Sequence, residues 1–557
     1  MIDRNTDVDD LHVAAGTTVV LAPDRSVTLT CRGNLVVEGV LELAPKDPSV
    51  THTVVFAGVR EDRFVGDGME VLPHDIGLWV TGDGELRLSG HSRTAWARAA
   101  GAVAAGDTVL DLGVEPSGWM PGDELVVTAT APPSKENHAD AIDVVVVAEV
   151  NGRSVRTESP FEHDHPAVEV AAGTVLTAEV LNLTRNVRLE GTTTGRAHVF
   201  ITSKRQQHLR DVSIRHMGPR KNDEGVVGRY GLHFHMCGYA SRGSVVERVV
   251  VRDCGSHAFV PHGSHGILFR DCISHSTVDD AYWWDQRPGG LPGGPATNDL
   301  RFEGCVASSV TSDPPYRGFR LTGFNLGVGR RNSITGCVAT SVGGSKDSAG
   351  YSWPEAAGDV WGFTDNVSHN NAAHALFTWQ NNHAAHEISR FVGYHNGGSG
   401  IAHGAYNNGY RYADSVLYGN AGAGVLLHAV STSERPIRLE RLTIDCGGLA
   451  EHAIQTARHT LAPEAATQIR GCSLSGYRVA GVGLVQDDGE TEADELDVVD
   501  CTFSGNRFRF SDSVPATSLV RVQDDNGADA VRPMSADVGS PVTEWNARVT
   551  PIAPFTR

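Results

Sequence analysis

Short apolar runs rich in valine, isoleucine and leucine recur along the chain, each closed by Asp or Gly, then Cys or Asn, then small residues. Cys254 follows VVVRD, Cys272 follows ILFRD, Cys305 follows RFEG and Cys337 follows SITG. Asn366 takes the same place in GFTDNVSHN, and Cys446, Cys472 and Cys501 resume the series at spacings of 18 to 33 residues. One supersecondary unit repeating at that interval is the signature of a solenoid. The runs are short, β-branched and separated by Gly, Asn and Ser, so the unit is a strand and not a helix. The pattern predicts an all-β fold: a right-handed parallel β-helix over residues 175–515, of roughly ten to twelve rungs. The cysteines then stack inside as free thiols. Residues 1–174 read as a separate β-rich capping domain, because VVLAPDRSVTLT, LVVEGVLEL and WMPGDELVV are strands joined by glycine turns. Residues 516–557 lose the repeat and read as a tail packed along the helix.

Within this scaffold one segment carries chemistry. In LHFH, His233 and His235 sit two apart, so a strand points both to one face and Phe234 to the other. AFVPH ends at His262, 27 residues on, and AYWWD ends at Asp285, a further 23 on. Those intervals suit one turn of a coil and predict a stack of His235, His262 and Asp285. Nine of the 25 histidines fall between 198 and 275. Three imidazoles and a carboxylate suit a divalent transition metal (zinc, iron, manganese or copper) better than calcium, which takes six to eight oxygens. His233, His235, His262 and Asp285 are the expected ligands, with His198 one rung earlier as a further ligand or partner. Extending the column predicts Asn325, Glu355 and Gln380 below Asp285, with Trp283 and Trp353 flanking it as sugar-stacking faces.

Proton transfer needs carboxylates or imidazoles on the same groove, and Glu355, Asp280 and His265 are the candidates. Stacking at roughly 4.8 Å per rung puts Asp285 and Glu355 about 10 Å apart, too far for a retaining carboxylate pair. Arg229 and Arg317, with Arg242 and Arg320, are the cations available to hold a substrate carboxylate.

The order of motifs (LVVEGVLEL, WMPGDELVV, LNLTRNVRLEG, GRYGLHFHMCG and HAFVPHGSHGILFRDCISHSTVDDAYWWD) resembles the family of the cell-migration-inducing hyaluronan-binding protein and the transmembrane hyaluronidase. The resemblance spans about residues 8–290 and implies an N-terminal domain named for its eight glycines, a β-helix after it, and binding or depolymerisation of hyaluronan with divalent-metal dependence. Gly231 stands where the family pattern has Pro, and AYWWD stands where it has an AYFLED-like run, so Asp285 takes the place of the acid.

Composition narrows the functional classes. A net charge of −20 argues against nucleic acid and anionic membranes as partners. Residues 196–252 nevertheless hold eleven Lys/Arg against four Asp/Glu, a local balance of +7 that would draw an anionic ligand. MIDRNTDVDD has neither the basic nor the apolar region of a secretory signal, so the expected location is cytoplasmic, or outside the cell if a leader has been removed. The reading is a metal-dependent, hyaluronidase-like depolymerase of an acidic or N-acetylated polysaccharide, by hydrolysis or elimination. A metal-dependent oxygenase or isomerase on a small anionic molecule, and a non-catalytic glycan-binding module, are the alternatives.

Overall fold

The computed structural model describes residues 1–133, 138–284, 296–311, 321–344, 348–353, 361–378, 386–404, 409–428, 437–456, 467–484, 495–510, 519–523 and 529–533. Among them the chain is all-β, apart from two short 3-10 turns at Glu61–Arg63 and Tyr239–Ser241. No helix among them is long and apolar enough to cross a membrane. The strands wind into a parallel β-helix with three faces. One face is a 15-stranded sheet from Thr6–Val8 to Thr502–Phe503. A second holds 16 strands from Thr18–Val20, with an antiparallel strand, Asp529–Pro533, at its end. The third is split, with six strands from Leu11–Val13 to Phe259–Ser264 and eight from Thr322–Asn325 to Phe508–Phe510. Across the split only single bridges continue the ladder, Phe259 to Tyr282 and Tyr282 to Phe324.

The coil begins at the N-terminus, which corrects the expected capping domain. His52–Phe56 pairs in parallel with Val187–Glu190, and Leu78–Gly82 with Val199–Ser203. Residues 1–90 are therefore the first rungs. Their glycine turns serve parallel stacking as readily as hairpins, so sequence did not separate the two. The separate unit is an insertion: a six-stranded antiparallel sheet between Trp96 and Asn182. It lies over the outer face of the 15-stranded sheet, where Val250, Ile273, Val306, Val338, Val367, Val392 and Val416 form a stripe one rung apart. That stripe is buried against Ala95, Val126, Leu181 and their neighbours. A buried knot fixes the contact: Glu179 of the insertion pairs with Arg98 at 2.8 Å and with His369 of the solenoid at 3.0 Å. Of the expected C-terminal tail, Leu519–Gln523 extends the solenoid by pairing with Glu495–Val499, and the remainder of 516–557, apart from 529–533, lies outside the described residues.

Inside, ring stacks run along the coil axis, such as Phe259, Tyr282, Phe324 and Tyr351 at 4.3–5.0 Å. The cysteine ladder is present. The Cys305 N–H meets Cys337 Sγ, the Cys337 N–H donates to Asn366 Oδ1, and the Cys472 N–H meets Cys501 Sγ. All nine cysteines are free and eight are buried. Burial pushes the Cys254 and Cys446 thiols up to about 12, which keeps them protonated and unreactive at neutral pH. Titration of the denatured protein without reductant should find nine thiols. Four disulfides in that experiment would refute the interior ladder.

At the corner that follows the 16-stranded sheet several rungs turn through left-handed residues, among them Asp211, Arg248, Asp365, Arg390, Asp414 and Arg441. Where an Asp is followed one rung on by an Arg, the carboxylate meets the guanidinium, as in Asp211–Arg248, Asp365–Arg390 and Asp414–Arg441; Asp299–Arg331 repeats the pairing at the corner before that sheet.

Candidate functional site

The strands Leu232–Gly238 and Phe259–Ser264 lie side by side at the edge of the split, in a register that puts His233 beside Val260 and His235 beside His262. Leu232 and Phe234 fill the core, so alternation turns His233 and His235 outward. Ring centroids are 5.0 Å apart for His233–His235, 4.9 Å for His235–His262 and 6.2 Å for His233–His262. One ring nitrogen from each of the three lies within 4.8 Å of the others. Phe200 supports the group from the preceding rung, stacked on His235 at 5.0 Å and edge-on to His233 at 5.2 Å.

Hydrogen bonding fixes how His233 is used. Its Nδ1 lies 2.8 Å from the Gly228 carbonyl, which can only accept, so Nδ1 carries the hydrogen. Burial, and then the neighbouring His235, hold the ring's pKa well below the usual 6.5, so it is neutral. Nε2 is therefore a bare lone pair, and it faces His235 Nδ1 at 3.3 Å. An imidazole with Nδ1 tied to a carbonyl and Nε2 turned into a cluster of nitrogens is the arrangement of a metal-ligating histidine. His233 is fully buried, whereas His235 and His262 are half-buried. Asp285, the expected fourth ligand, lies outside the described residues, as do Glu355, Arg317, Arg320 and Gln380. His198 does not join the cluster. Its Nε2 bonds the Asp75 carbonyl, its ring packs edge-on to Trp79, and burial lowers its pKa to about 3.

Asp280 lies on the next rung, at the corner that leads into this face and level with His257. It is buried, and it accepts hydrogen bonds from the Thr322 N–H at 2.7 Å and Asn325 Nδ2 at 3.3 Å. Burial outweighs those bonds and raises its pKa to about 7. A carboxyl that holds its proton near neutrality is equipped to act as an acid. Asn325 Oδ1 is buried and has no hydrogen-bond partner among the described residues.

Four other expectations are corrected. Trp283 does belong to this face, in the column of His233, Val260 and Asn325, but it is only 7% exposed and stacks on His257 at 3.9 Å. It forms a wall with Tyr230, and no open sugar platform. Trp353 points into the core against Phe363, because the register aligns Tyr351 with Phe324 and Tyr282, which puts Trp353 level with Trp284. Trp353 thus stands one residue out of step with the column of Trp283, which exchanges faces, and Asn325, expected two residues beyond that column, stands in it. His265 sits at the turn beyond His262, with Nδ1 accepting the Asn298 N–H and its ring 4.4 Å from Tyr239, so it takes no part in the histidine cluster. Arg229 is fully buried: Nε meets Asp75 at 2.8 Å, and the guanidinium lies over Trp79 and Phe200. It braces the rings behind the histidines and cannot touch a substrate. Sequence reading passed over Tyr230, whose ring lies 4.9 Å from His233 and 5.6 Å from Trp283; its place three residues before His233 was the available signal.

Residues 194–285, which hold all three histidines and Asp280, match the family model described as the CEMIP beta-helix. The chain is 25% identical over 197 residues to the human cell surface hyaluronidase CEMIP2, covering 31% of this chain and 14% of that protein. It is 25% identical over 206 residues to the mouse cell migration-inducing and hyaluronan-binding protein, covering 32% and 14%. The chain thus spans about a seventh of the length of these relatives. Among solved structures, the Agl-KA catalytic domain aligns at 9% identity with a TM-score of 0.41, covering 76% of this chain and 91% of that one.

Proposed function

We propose that this chain is a carbohydrate-active enzyme that cleaves an acidic or N-acetylated polysaccharide on the outer face of the split sheet, with a divalent transition metal held by His233, His235 and His262. The observation that carries the reading is the convergence of three ring nitrogens within 4.8 Å, with the tautomer of His233 already fixed. Similarity of this segment to proteins named hyaluronidases supports a glycan as the substrate. A metal held by these rings would supply positive charge to a substrate oxygen. The chain supplies the rest. Asp280 keeps its proton up to about neutral pH and shares it there, Thr322 and Asn325 hold its carboxyl in place, and Trp283, His257 and Tyr230 wall the site from water.

Elemental analysis of the gently purified protein should find about one transition-metal ion per chain. His235→Ala should lose most of it, because one of few ligands has gone. Chromatography of hyaluronan, chondroitin, polygalacturonate and alginate fragments, with and without chelator, should show cleavage that the chelator stops. Ultraviolet absorbance of an unsaturated uronide separates elimination from hydrolysis. A metal-free protein, or full metal content in His235→Ala, would sink the metal centre, and no cleavage across the panel would sink the depolymerase.

A further inference from the structure

Beyond the histidine cluster the chain turns a corner, and on the far side lies an open cleft of about 630 Å³ lined by Arg242, Asp299, Arg301, Arg331, Ser333 and two glycines. Three guanidinium groups share this cleft with one carboxylate. Asp299 meets Arg242 at 2.7 Å and Arg331 at 2.5 Å. Arg301 reaches Glu303 at 3.5 Å, but that carboxylate is held more closely by Arg270, at 2.8 Å. The cleft keeps an excess of positive charge in a protein whose net charge is −20. Its arginines are more than half exposed.

Beside the arginines stands Tyr239, which is 56% exposed although it is among the larger apolar side chains. The Arg242 guanidinium at 5.0 Å and the His265 ring at 4.4 Å pack against part of its ring, and the rest is open to solvent. An accessible aromatic face bordered by forked N–H donors fits a sugar ring that carries an anionic substituent. His265 follows His262 by three residues, so the shelf begins roughly 10 Å along the strand from the histidine cluster, about two sugar units.

We propose that Tyr239, Arg242, Arg301 and Arg331 form a binding subsite for an anionic sugar unit, carboxylated or sulfated, of a chain that extends from the histidine cluster around the corner of the solenoid. The subsite deepens the glycan reading given above, and it relocates the anion contact from the buried Arg229 to exposed arginines. Asp299 has a defined part: it holds two of the arginines and competes with the ligand for them.

The test measures binding by calorimetry in the His235→Ala background, so that no cleavage intervenes. The probes are oligogalacturonate for carboxylate, dextran sulfate for sulfate, unmodified dextran for a neutral chain and an oligodeoxynucleotide for a polyanion without sugar stacking on its exterior. One or both acidic glycans should bind, more weakly as salt rises, and the one bound more tightly identifies the substituent. Arg242→Ser and Arg331→Ser should each weaken binding about tenfold, the loss expected for a charge-assisted hydrogen bond. Tyr239→Ala should weaken it as well. Asp299→Asn should tighten it, since Asn tolerates the left-handed backbone at that position and releases both guanidinium groups. Binding of plain dextran or the oligonucleotide as tight as that of the acidic glycans, no effect of the arginine variants, or weaker binding in Asp299→Asn would overturn the subsite. Because metal content and cleavage are not read, failure of the metal centre leaves this outcome distinct.

Discussion

Asp280→Asn should yield a protein that no longer turns over its glycan but resists denaturation better than the parent at pH 8. The two effects share one cause. Burial raises the carboxyl from 3.8 to about 7, so the native state binds a proton that the unfolded chain has released. The sign follows from that difference: the contribution to stability is fully present below about pH 4 and is lost as pH rises through 7. Three pKa units correspond to about 4 kcal/mol between those limits. Asn carries no charge at either pH and escapes the loss. It also fits the site, because turning over the Asn325 amide offers its unpartnered oxygen to the new Nδ2, while the Thr322 N–H still has an oxygen to meet. Denaturant midpoints for parent and variant at pH 5 and pH 8 read the first effect, and cleavage assays the second. In the parent, turnover should fall above pH 7 as the acid ionises. Retained turnover in Asp280→Asn, or parallel midpoints at the two pH values, would remove Asp280 from the mechanism.

Arg229→Ala should destabilise the whole protein by about 3–5 kcal/mol, the cost of stripping one partner from a buried ion pair. Asp75 is fully buried and uses both oxygens, taking the N–H groups of Val65 and Gly66 as well as Arg229 Nε. Without the guanidinium a carboxylate remains in the interior, and Trp79 and Phe200 lose the cation above them. Thermal unfolding measures the loss. Adding Asp75→Asn should restore part of it, because the stranded charge then disappears. A variant that unfolds like the parent yet binds glycan more weakly would return Arg229 to the substrate.

The contrast between these residues shows what a sequence makes legible. His233 and His235 are readable because alternation within one strand is local, and His262 because the next rung contributes no excursion between matched positions. The stacking of thiols and Asn366 is readable for the same reason. Registration fails past Trp284, because the number of residues between matched rings is uneven, from Phe259 to Tyr282, to Phe324 and to Tyr351, and counting from one aromatic to the next drifts by one or two residues. That drift placed Trp353 beside the site when it belongs to the core. Arg229 fails differently: its partner lies 154 positions earlier, and nothing near Asp75 marks it as interior. The valine stripe was visible as a set of strands, but a parallel strand buried on both faces looks the same whatever covers it. The insertion was consequently fused with the first rungs into one imagined domain.

That insertion has a consequence for how the molecule can be taken apart. The chain leaves the solenoid near Gly90 and returns near Asn186, and the two points touch, since the His91 N–H donates to Asn186 Oδ1. Geometrically the unit is a cassette whose removal would leave a gap that a short linker closes without shifting a rung. Energetically it is no cassette, because excision would bare a continuous hydrophobic seam seven residues long and strand His369 beside a missing carboxylate. The histidine cluster draws all its side chains from the solenoid, yet the solenoid's solubility is vested in a module that contributes none of them. A substitution near the cluster can therefore change its chemistry and leave the molecule soluble, while a polar substitution in the stripe beneath the insertion would loosen a module that never meets the cluster.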